Sequence, residues 1–300
     1  MGQSDWLAER FQEREDLMRS IAYRMLGSIS DTDDALQEVW VRLSRADVDG
    51  VENLDAWLTT VVGRVCLNIL RSRARRREEP FGVRVPDPII TGYGDCDPQG
   101  EVLLAESVGL ALMVVVETLP PPERLAYVLH DMFAVPFDEI GRMLDRSATA
   151  ARQLASRARR RVQGEANVPD ADLTAQQPVV NAFFAAAREG DFERLVSLLD
   201  PEITLISDGT PRRAGRSVTI RGAERVARAS LIGASSGREL YPAVVNGGPG
   251  AVIVENGTAV SIMGFAVVKD RIVEIDAVSD PARLAQLDLA HIITGTRREG

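Results

Sequence analysis

Apolar residues recur at helical spacing through the first half of the chain and give way to short, strand-like apolar runs in the last third. Phe11, Leu17, Met18, Ile21, Ala22 and Met25 mark one helical face over residues that read as helical from 5 onward, and Gly27 and Ser28 close it. Ser30 or Asp31 then reads as the cap of a second helix with a stripe of Leu36, Val39, Trp40 and Leu43. Its first turn holds Asp33 and Asp34, the charge that a helix N-terminus favours. A third helix spans about 55–76. Between 101 and 163 the stripes are Leu104, Val108, Ala111, Leu112, Val115 and Leu119, then Leu125, Val128, Leu129 and Met132 after Pro120–Pro122. Pro136 opens another helix and Ser147 caps the last of this half.

Two breaks separate these stretches. Residues 80–100 hold Pro80, Pro86, Pro88, Pro98 and four glycines, the composition of an extended linker. Residues 164–177 are polar and contain Pro169. Beyond 178 two helices, about 178–188 and 191–199, lead into ITLIS (203–207), AVVN (243–246), AVIVE (251–255), TAVSIMGFAVV (258–268) and RIVEIDAV (271–278). Gly247-Gly248 and Asn256-Gly257 read as hairpin turns. Helices followed by a meander predict an α+β domain.

The 300 residues are enough for two or three domains. No apolar run reaches the roughly 18–20 residues of a membrane span. The charged N-terminus lacks an apolar signal core, so a cytoplasmic location is expected. Cys66 and Cys96 are too few for a disulfide framework, and with two histidines a multi-ligand zinc site is not expected. Net charge is −9, which argues against a passive nucleic-acid coat, but the average hides local structure. RSRARRR (71–77) and RARRR (157–161) carry no acid, while Asp31–Glu38 is acidic. Two basic clusters in an acidic chain point to two local polyanion contacts.

Each cluster ends a helix with a patterned surface. In Asp138–Arg161, Phe137, Ile140 and Leu144 share a face beside Gly141, a short turn Asp145-Arg146-Ser147 follows, and a second helix places Ala151, Leu154, Ala155 and Ala158 inward. Thr149, Arg152, Gln153, Ser156 and Arg157 face outward. This is the pattern of a helix-turn-helix, which lays its second helix in the major groove, where arginine pairs with guanine edges and phosphates and glutamine reads adenine. An ordinary helical hairpin is the competing reading. In DAWLTTVVGRVCLNILRSRARR (55–76), Leu58, Val62, Val65 and Ile69 form the buried stripe, while Thr60, Arg64, Asn68, Arg71 and Arg75 line another face able to track phosphates.

Together with AYRMLGSISDTDDALQEVWVRL (22–43) and LPPPERLAYVLHDMFAVPFDEIGRML (119–144), these segments resemble the bacterial extracytoplasmic-function (ECF) sigma factors over residues 5–163. The segments at 55–76 and 119–144 resemble the SigJ-like branch, which carries a fused SnoaL-like domain, and FFAAAREGDFERLVSLLDPEITLISDG (183–209) resembles the start of that fold. The resemblance implies a multidomain chain. Sigma region 2 would occupy 1–79 and a linker 80–100. Region 4 with its helix-turn-helix would occupy 101–164 and a second linker 165–177. A SnoaL/NTF2-like cone would fill 178–290 before a tail at 291–300.

The resemblance also implies roles. Asp33, Asp34, Gln37, Glu38 and Trp40 match the segment that docks on RNA polymerase. Arg64, Asn68, Arg71 and Arg75 match the helix that handles the −10 promoter element, and Ser147, Thr149, Arg152, Gln153 and Arg157 lie in the helix that reads the −35 element. Relatives commonly place a small residue, often Gly, where this chain has Asp145, and a basic residue where it has Leu154. VPDPI (85–89) resembles a Pro-acid-Pro linker segment, SDG (207–209) followed by Arg212 resembles part of a glycine-rich motif, and DPARL (280–284) resembles an Asn-Pro-Asp-Lys-Leu motif. These segments are associated with autoregulation in the family, which makes Asp208, Arg212, Asp280 and Arg283 candidates for interdomain regulation.

The expected partners are core RNA polymerase and promoter DNA, with no membrane, no cofactor, no metal and no catalytic residue. The His/Cys motif of zinc-binding anti-sigma proteins does not occur, so the fused domain is expected to supply the restraint without a separate anti-sigma factor. A small-molecule ligand for its cavity is left open. The cavity's polar candidates for catalysis are few: Asp208, Tyr241, Glu255 and Asp276. Two other functions compete: a ligand-sensing helix-turn-helix regulator that is not a polymerase subunit, and a SnoaL-type enzyme with a DNA-binding appendage.

Overall fold

The computed structural model describes residues 3–46, 53–76, 85–92, 110–165, 173–209, 217–234 and 237–295, with some side chains at helix ends left out. Arg212, Cys96, Leu104, Val108 and the linker stretch 166–172 lie outside the described residues. So do the side chains of Arg75, Ala111 and Leu112. The chain divides into two compact units, Met1–Pro80 with Val115–Glu165 and Phe81–Val114 with Ala166–Gly300.

The first unit is helical. Helix α1 (Gln3–Leu26) ends at Gly27, whose φ of 63° is the left-handed conformation that glycine reaches without strain. Helix α2 (Ile29–Arg45) is capped by Ser28, two or three residues earlier than the spacing suggests: its Oγ accepts from Asp31 N at 3.4 Å, and Thr32 Oγ1 donates to its carbonyl at 2.7 Å. Helix α3 (Leu54–Arg76) starts at Asn53, whose Oδ1 accepts from Ala56 N. Helix α4 (Leu110–Thr118) and helix α5 (Pro121–Tyr127) follow. A π-helical turn over Val128–Met132, helix α6 (Phe137–Leu144) and helix α7 (Ala148–Glu165) complete the unit. Met18, Ile21, Met25, Leu26, Leu43, Leu58, Leu67, Leu125, Leu129 and Ile140 are fully buried. Each contributes about 1.5–3 kcal/mol through area removed from water.

The second unit is α+β. Helices α8 (Leu173–Glu189) and α9 (Phe192–Leu198) precede strand β2 (Leu199–Ser207). Helix α8 starts five residues before the expected boundary and carries Pro178 on an exposed position in its second turn. Strand β3 (Val218–Arg221), helix α10 (Ala223–Gly233) and strands β4 (Arg238–Val245), β5 (Gly248–Glu255), β6 (Thr258–Val268) and β7 (Arg271–Val278) follow, then short helices α11 (Pro281–Leu284) and α12 (Ala290–Gly295). With strand β1 (Ile90–Thr91) the sheet is open, mixed and seven-stranded, in the order β1-β4-β5-β6-β7-β2-β3, and β2 pairs with β7 in parallel. This is the cone-type architecture expected of a SnoaL/NTF2-like domain.

The β5–β6 turn falls on Asn256-Gly257 as expected. The β4–β5 turn falls on Asn246-Gly247, one residue before the Gly-Gly pair: both carry positive φ, 48° and 74°, which suits Asn followed by Gly. One cluster buries Phe183, Val180, Leu195, Val226, Phe265 and Ile275. A second gathers Ile206, Val245, Val252, Ile262 and Val278 with Leu284, Leu289 and Ile292, and it also contains Val85 from the stretch read as a linker.

Candidate nucleic-acid interface and docked linker

The helix-turn-helix is built on one glycine. A Cβ on Gly141 would sit 2.8 Å from the Arg146 carbonyl oxygen and 3.1 Å from Ala148 N, so the turn folds back onto α6 only because none is there. Asp145 takes the left-handed C-cap at φ 54°, which explains why a glycine suits this position. Ser147 Oγ accepts from Ala150 N at 3.2 Å and caps α7. Ala151, Leu154, Ala155 and Ala158 are buried, and Thr149, Arg152, Gln153, Ser156 and Arg157 are exposed, as the spacing requires. Leu154 is therefore a packing residue. Arg157 is exposed but engaged: its Nε donates to Glu123 Oε1 at 2.9 Å, and Arg161 pairs with the other oxygen of the same carboxylate at 3.3 Å. Arg159 pairs with Asp131.

Helix α3 buries Leu58, Val62, Val65, Cys66, Leu67 and Leu70, a broader face than the expected stripe, with Ile69 half-buried. Burial pushes the Cys66 thiol up to about 12, so it is a core residue rather than a nucleophile. Arg64, Asn68 and Arg71 are exposed along one row. Arg64 already has a partner, since its Nη2 donates to the Arg142 carbonyl at 2.9 Å. Beside it Gly63 lies against Met143, Leu129 and Leu125. Buried Arg124 joins the two helical halves: its Nη1 donates to the Met25 carbonyl at 2.9 Å and to Glu117 Oε1 at 3.0 Å. The Arg24 guanidinium lies 5.1 Å from the Phe133 ring centroid.

On α2 the acids divide. Asp33 pairs with Arg19 at 2.5 Å, and Asp31 pairs with Arg73, which also donates to the Leu26 carbonyl. Asp34, Gln37 and Glu38 are exposed, and Glu38 pairs with Arg42 one turn on. Trp40 is half-buried and meets Phe11 edge-to-face at 5.3 Å. Asp33, expected as a docking acid, is half-exposed and also pairs with Arg19 within the bundle.

In the second unit, residues 85–91 are part of the domain. Ile90 and Thr91 pair antiparallel with Val245 and Val244, and Ile89 exchanges hydrogen bonds with Asn246. Val85 is fully buried. Arg283 clasps this segment. Its Nε and Nη2 donate to Asp87 Oδ1 at 3.0 and 2.5 Å, Nη2 also donates to the Val85 carbonyl at 2.8 Å, and Nη1 donates to Asp208 Oδ2 at 2.9 Å. Asp208 Oδ1 accepts from Ser279 N and Asp280 N, so one carboxylate fixes both the arginine and the loop that carries it. Asp280 is the N-cap of α11, accepting from Ala282 N and Arg283 N, and orients the clasp rather than touching the segment.

The polar groups considered for catalysis are engaged in separate contacts. Tyr241 Oη donates to Glu239 at 2.6 Å and Glu255 pairs with Arg238 at 3.2 Å. Asp276 is buried: desolvation first, then the charge of neighbouring Glu274 and a hydrogen bond with it, raise its carboxyl well above the usual range. No cluster of three or more metal-ligating side chains occurs among the described residues. Among them, no helix is long and apolar enough to cross a membrane.

Residues 11–76 match the model of Sigma-70 region 2 and residues 109–162 that of Sigma-70, region 4. The ECF RNA polymerase sigma factor SigJ of Mycobacterium tuberculosis is 43% identical over 216 residues, spanning 72% of this chain and 69% of that protein. The chain belongs to the ECF RNA polymerase sigma factors. A probable ECF sigma factor SigI of the same species is 29% identical over 96% of this chain and 98% of its own. The crystal structure of M. tuberculosis SigJ superposes on this sigma factor with a TM-score of 0.72 at 34% identity, covering 93% of this chain and 98% of that one, the fused C-terminal domain included. The sigma factor is a transcription-initiation protein.

The sequence singles out the VPDPI segment at 85–89 and the segments of Asp208 and Arg283 as ones that would dock together, although not Asp87 by itself; Arg283 and Asp87 meet across 196 residues. Two other participants escaped it. Glu123 and Arg124 follow a proline run that signals only a helix start, and nothing local marks them as the partners of Arg157 and Met25.

Proposed function

We propose that this sigma factor recruits core RNA polymerase and directs it to promoters in the cytoplasm, with α3 meeting the −10 element and α7 the −35 element, and that its own C-terminal domain adjusts the process by holding the linker. Asp34, Gln37, Glu38 and Trp40 form the polymerase-facing surface of α2, and Asp33 shapes that surface through Arg19. Arg64, Asn68, Arg71 and Arg75 supply the row on α3, and Ser147, Thr149, Arg152, Gln153 and Arg157 the face of α7. Phosphate contacts from such rows give affinity and base contacts give sequence.

The observation that carries the regulatory part is the Arg283 clasp on Val85 and Asp87. That segment joins region 2 to region 4, so a domain that captures it as an edge strand shortens the tether between them. A shorter tether changes the effective concentration of one DNA-binding region when the other is bound. The test is transcription with purified core polymerase by the full chain, by Arg283→Ala, and by a chain ending at Gln177, at matched protein levels. The two variants should depart from the full chain in the same direction. Equal transcription by all three would remove the regulatory role while leaving initiation itself in place.

A further inference from the structure

The geometry assigns Phe137 as a positioning residue for base reading by Arg152, an inference that rests on α7 being the −35 reader. Helix α7 carries five arginines. Arg157, Arg159 and Arg161 are tied to acids, and Arg160 leans on the Ser156 carbonyl. Arg152 differs: among the described residues its guanidinium makes no hydrogen bond or ion pair, and it is held by a ring, with Cζ 5.1 Å from the centroid of Phe137. It lies in the second turn of α7, near the end of a recognition helix that contacts base edges.

Phe137 is itself fixed. It is the first residue of α6, directly after Pro136, and its ring stacks on the His130 imidazole with centroids 3.8 Å apart and planes 29° apart. The imidazole is oriented in turn, because its Nδ1 lies 3.0 Å from the Val135 carbonyl. A carbonyl only accepts, so Nδ1 carries the proton and donates. A line of contacts therefore runs from the backbone at Val135 through His130 and Phe137 to Arg152.

The chemistry suits recognition. A guanidinium held over an aromatic face is attracted by the ring's quadrupole and not by an acceptor for its N–H groups. Its N–H donors lie in the plane and stay available for a bidentate contact to the O6 and N7 edge of a guanine. A salt bridge would consume those donors, whereas the ring holds the long side chain without consuming them. Less side-chain freedom then has to be lost on binding.

The test uses holoenzyme assembled from the full chain and core polymerase, on a promoter library randomised across the −35 element. Arg152→Ala should erase discrimination at one base position. Phe137→Leu, which keeps apolar bulk but no π face, should weaken discrimination at that same position by roughly two- to fivefold. Phe137→Tyr should restore it. In the Arg152→Ala background, Phe137→Leu should change nothing further.

Should Phe137→Leu fail to fold, fluorinated phenylalanines at position 137 keep the ring while draining its π face. Discrimination should then fall as fluorination rises. An unchanged profile in the leucine or fluorinated chains, or an equal change at every position, would overturn the positioning role while Arg152→Ala still shows the base reading. No effect of Arg152→Ala at any base would overturn the base reading and the positioning role together.

Discussion

At the residue scale, one backbone angle and one arginine carry most of the meaning. Asp145 sits at φ 54°, where an L side chain is strained and glycine is not. Asp145→Gly should raise stability by about 0.5–1 kcal/mol, read as a higher urea midpoint, because relief at the left-handed cap outweighs the added freedom of the unfolded chain. Lower stability would mean that the aspartate side chain holds the turn. Arg283 is the opposite case, a charge whose loss leaves two others behind. Its side chain is 17% exposed, and those of Asp87 and Asp208 are 12% and 8% exposed. Arg283→Ala should therefore cost the second unit about 2–4 kcal/mol, since both carboxylates stay mostly out of water without their cation. A melting curve like that of the parent chain would show the clasp to be ornamental.

At the element scale, the helices were more legible than the strand edges. Stripes such as Leu36, Val39 and Leu43 announce α2 because a helix fixes which residues share a face with no help from distant chain. The short turn between α6 and α7 was legible for the same local reason. Strand β1 was not: Ile90 and Thr91 form a strand only because β4 offers an edge, and nothing near them in sequence encodes that edge. The same limit hid the pairing of Asp33 with Arg19 and of Arg157 with Glu123, where the outward face was right but its partners were not visible.

Strand β7 carries a further consequence. In the folded protein burial and neighbouring Glu274 raise the Asp276 carboxyl well above the ordinary value of about 3.9 at which the unfolded chain releases its proton. Above that pH the folded state binds more protons than the unfolded state, so stability falls as pH rises toward the raised folded value. Asp276→Asn removes this liability. Its melting temperature should exceed that of the parent at about pH 8, with the gap closing toward about pH 4. A gap that does not change with pH would contradict the assignment.

At the scale of the whole molecule, the residues that match sigma regions 2 and 4 lie largely in one compact helical unit. Arg64 is the clearest sign, because its Nη2 donates across to the Arg142 carbonyl at 2.9 Å. Gly63 beside it makes close packing possible, since even a Cβ there would lie 3.2 Å from Met143 Sδ and 3.3 Å from Leu129 Cδ1. Gly63→Leu should overfill this contact, costing about 1–3 kcal/mol and raising amide exchange in α6. Unchanged exchange in α6 would show that the contact is not maintained in solution.

The most direct measurement of the central claim is multi-round transcription by purified core RNA polymerase, with and without this chain, on a library of promoter fragments. Initiation should depend on the chain, start at fixed positions, and require sequence at both the −10 and the −35 element. Transcripts that do not depend on the chain, or specific DNA binding by the chain with no association with core polymerase, would contradict it.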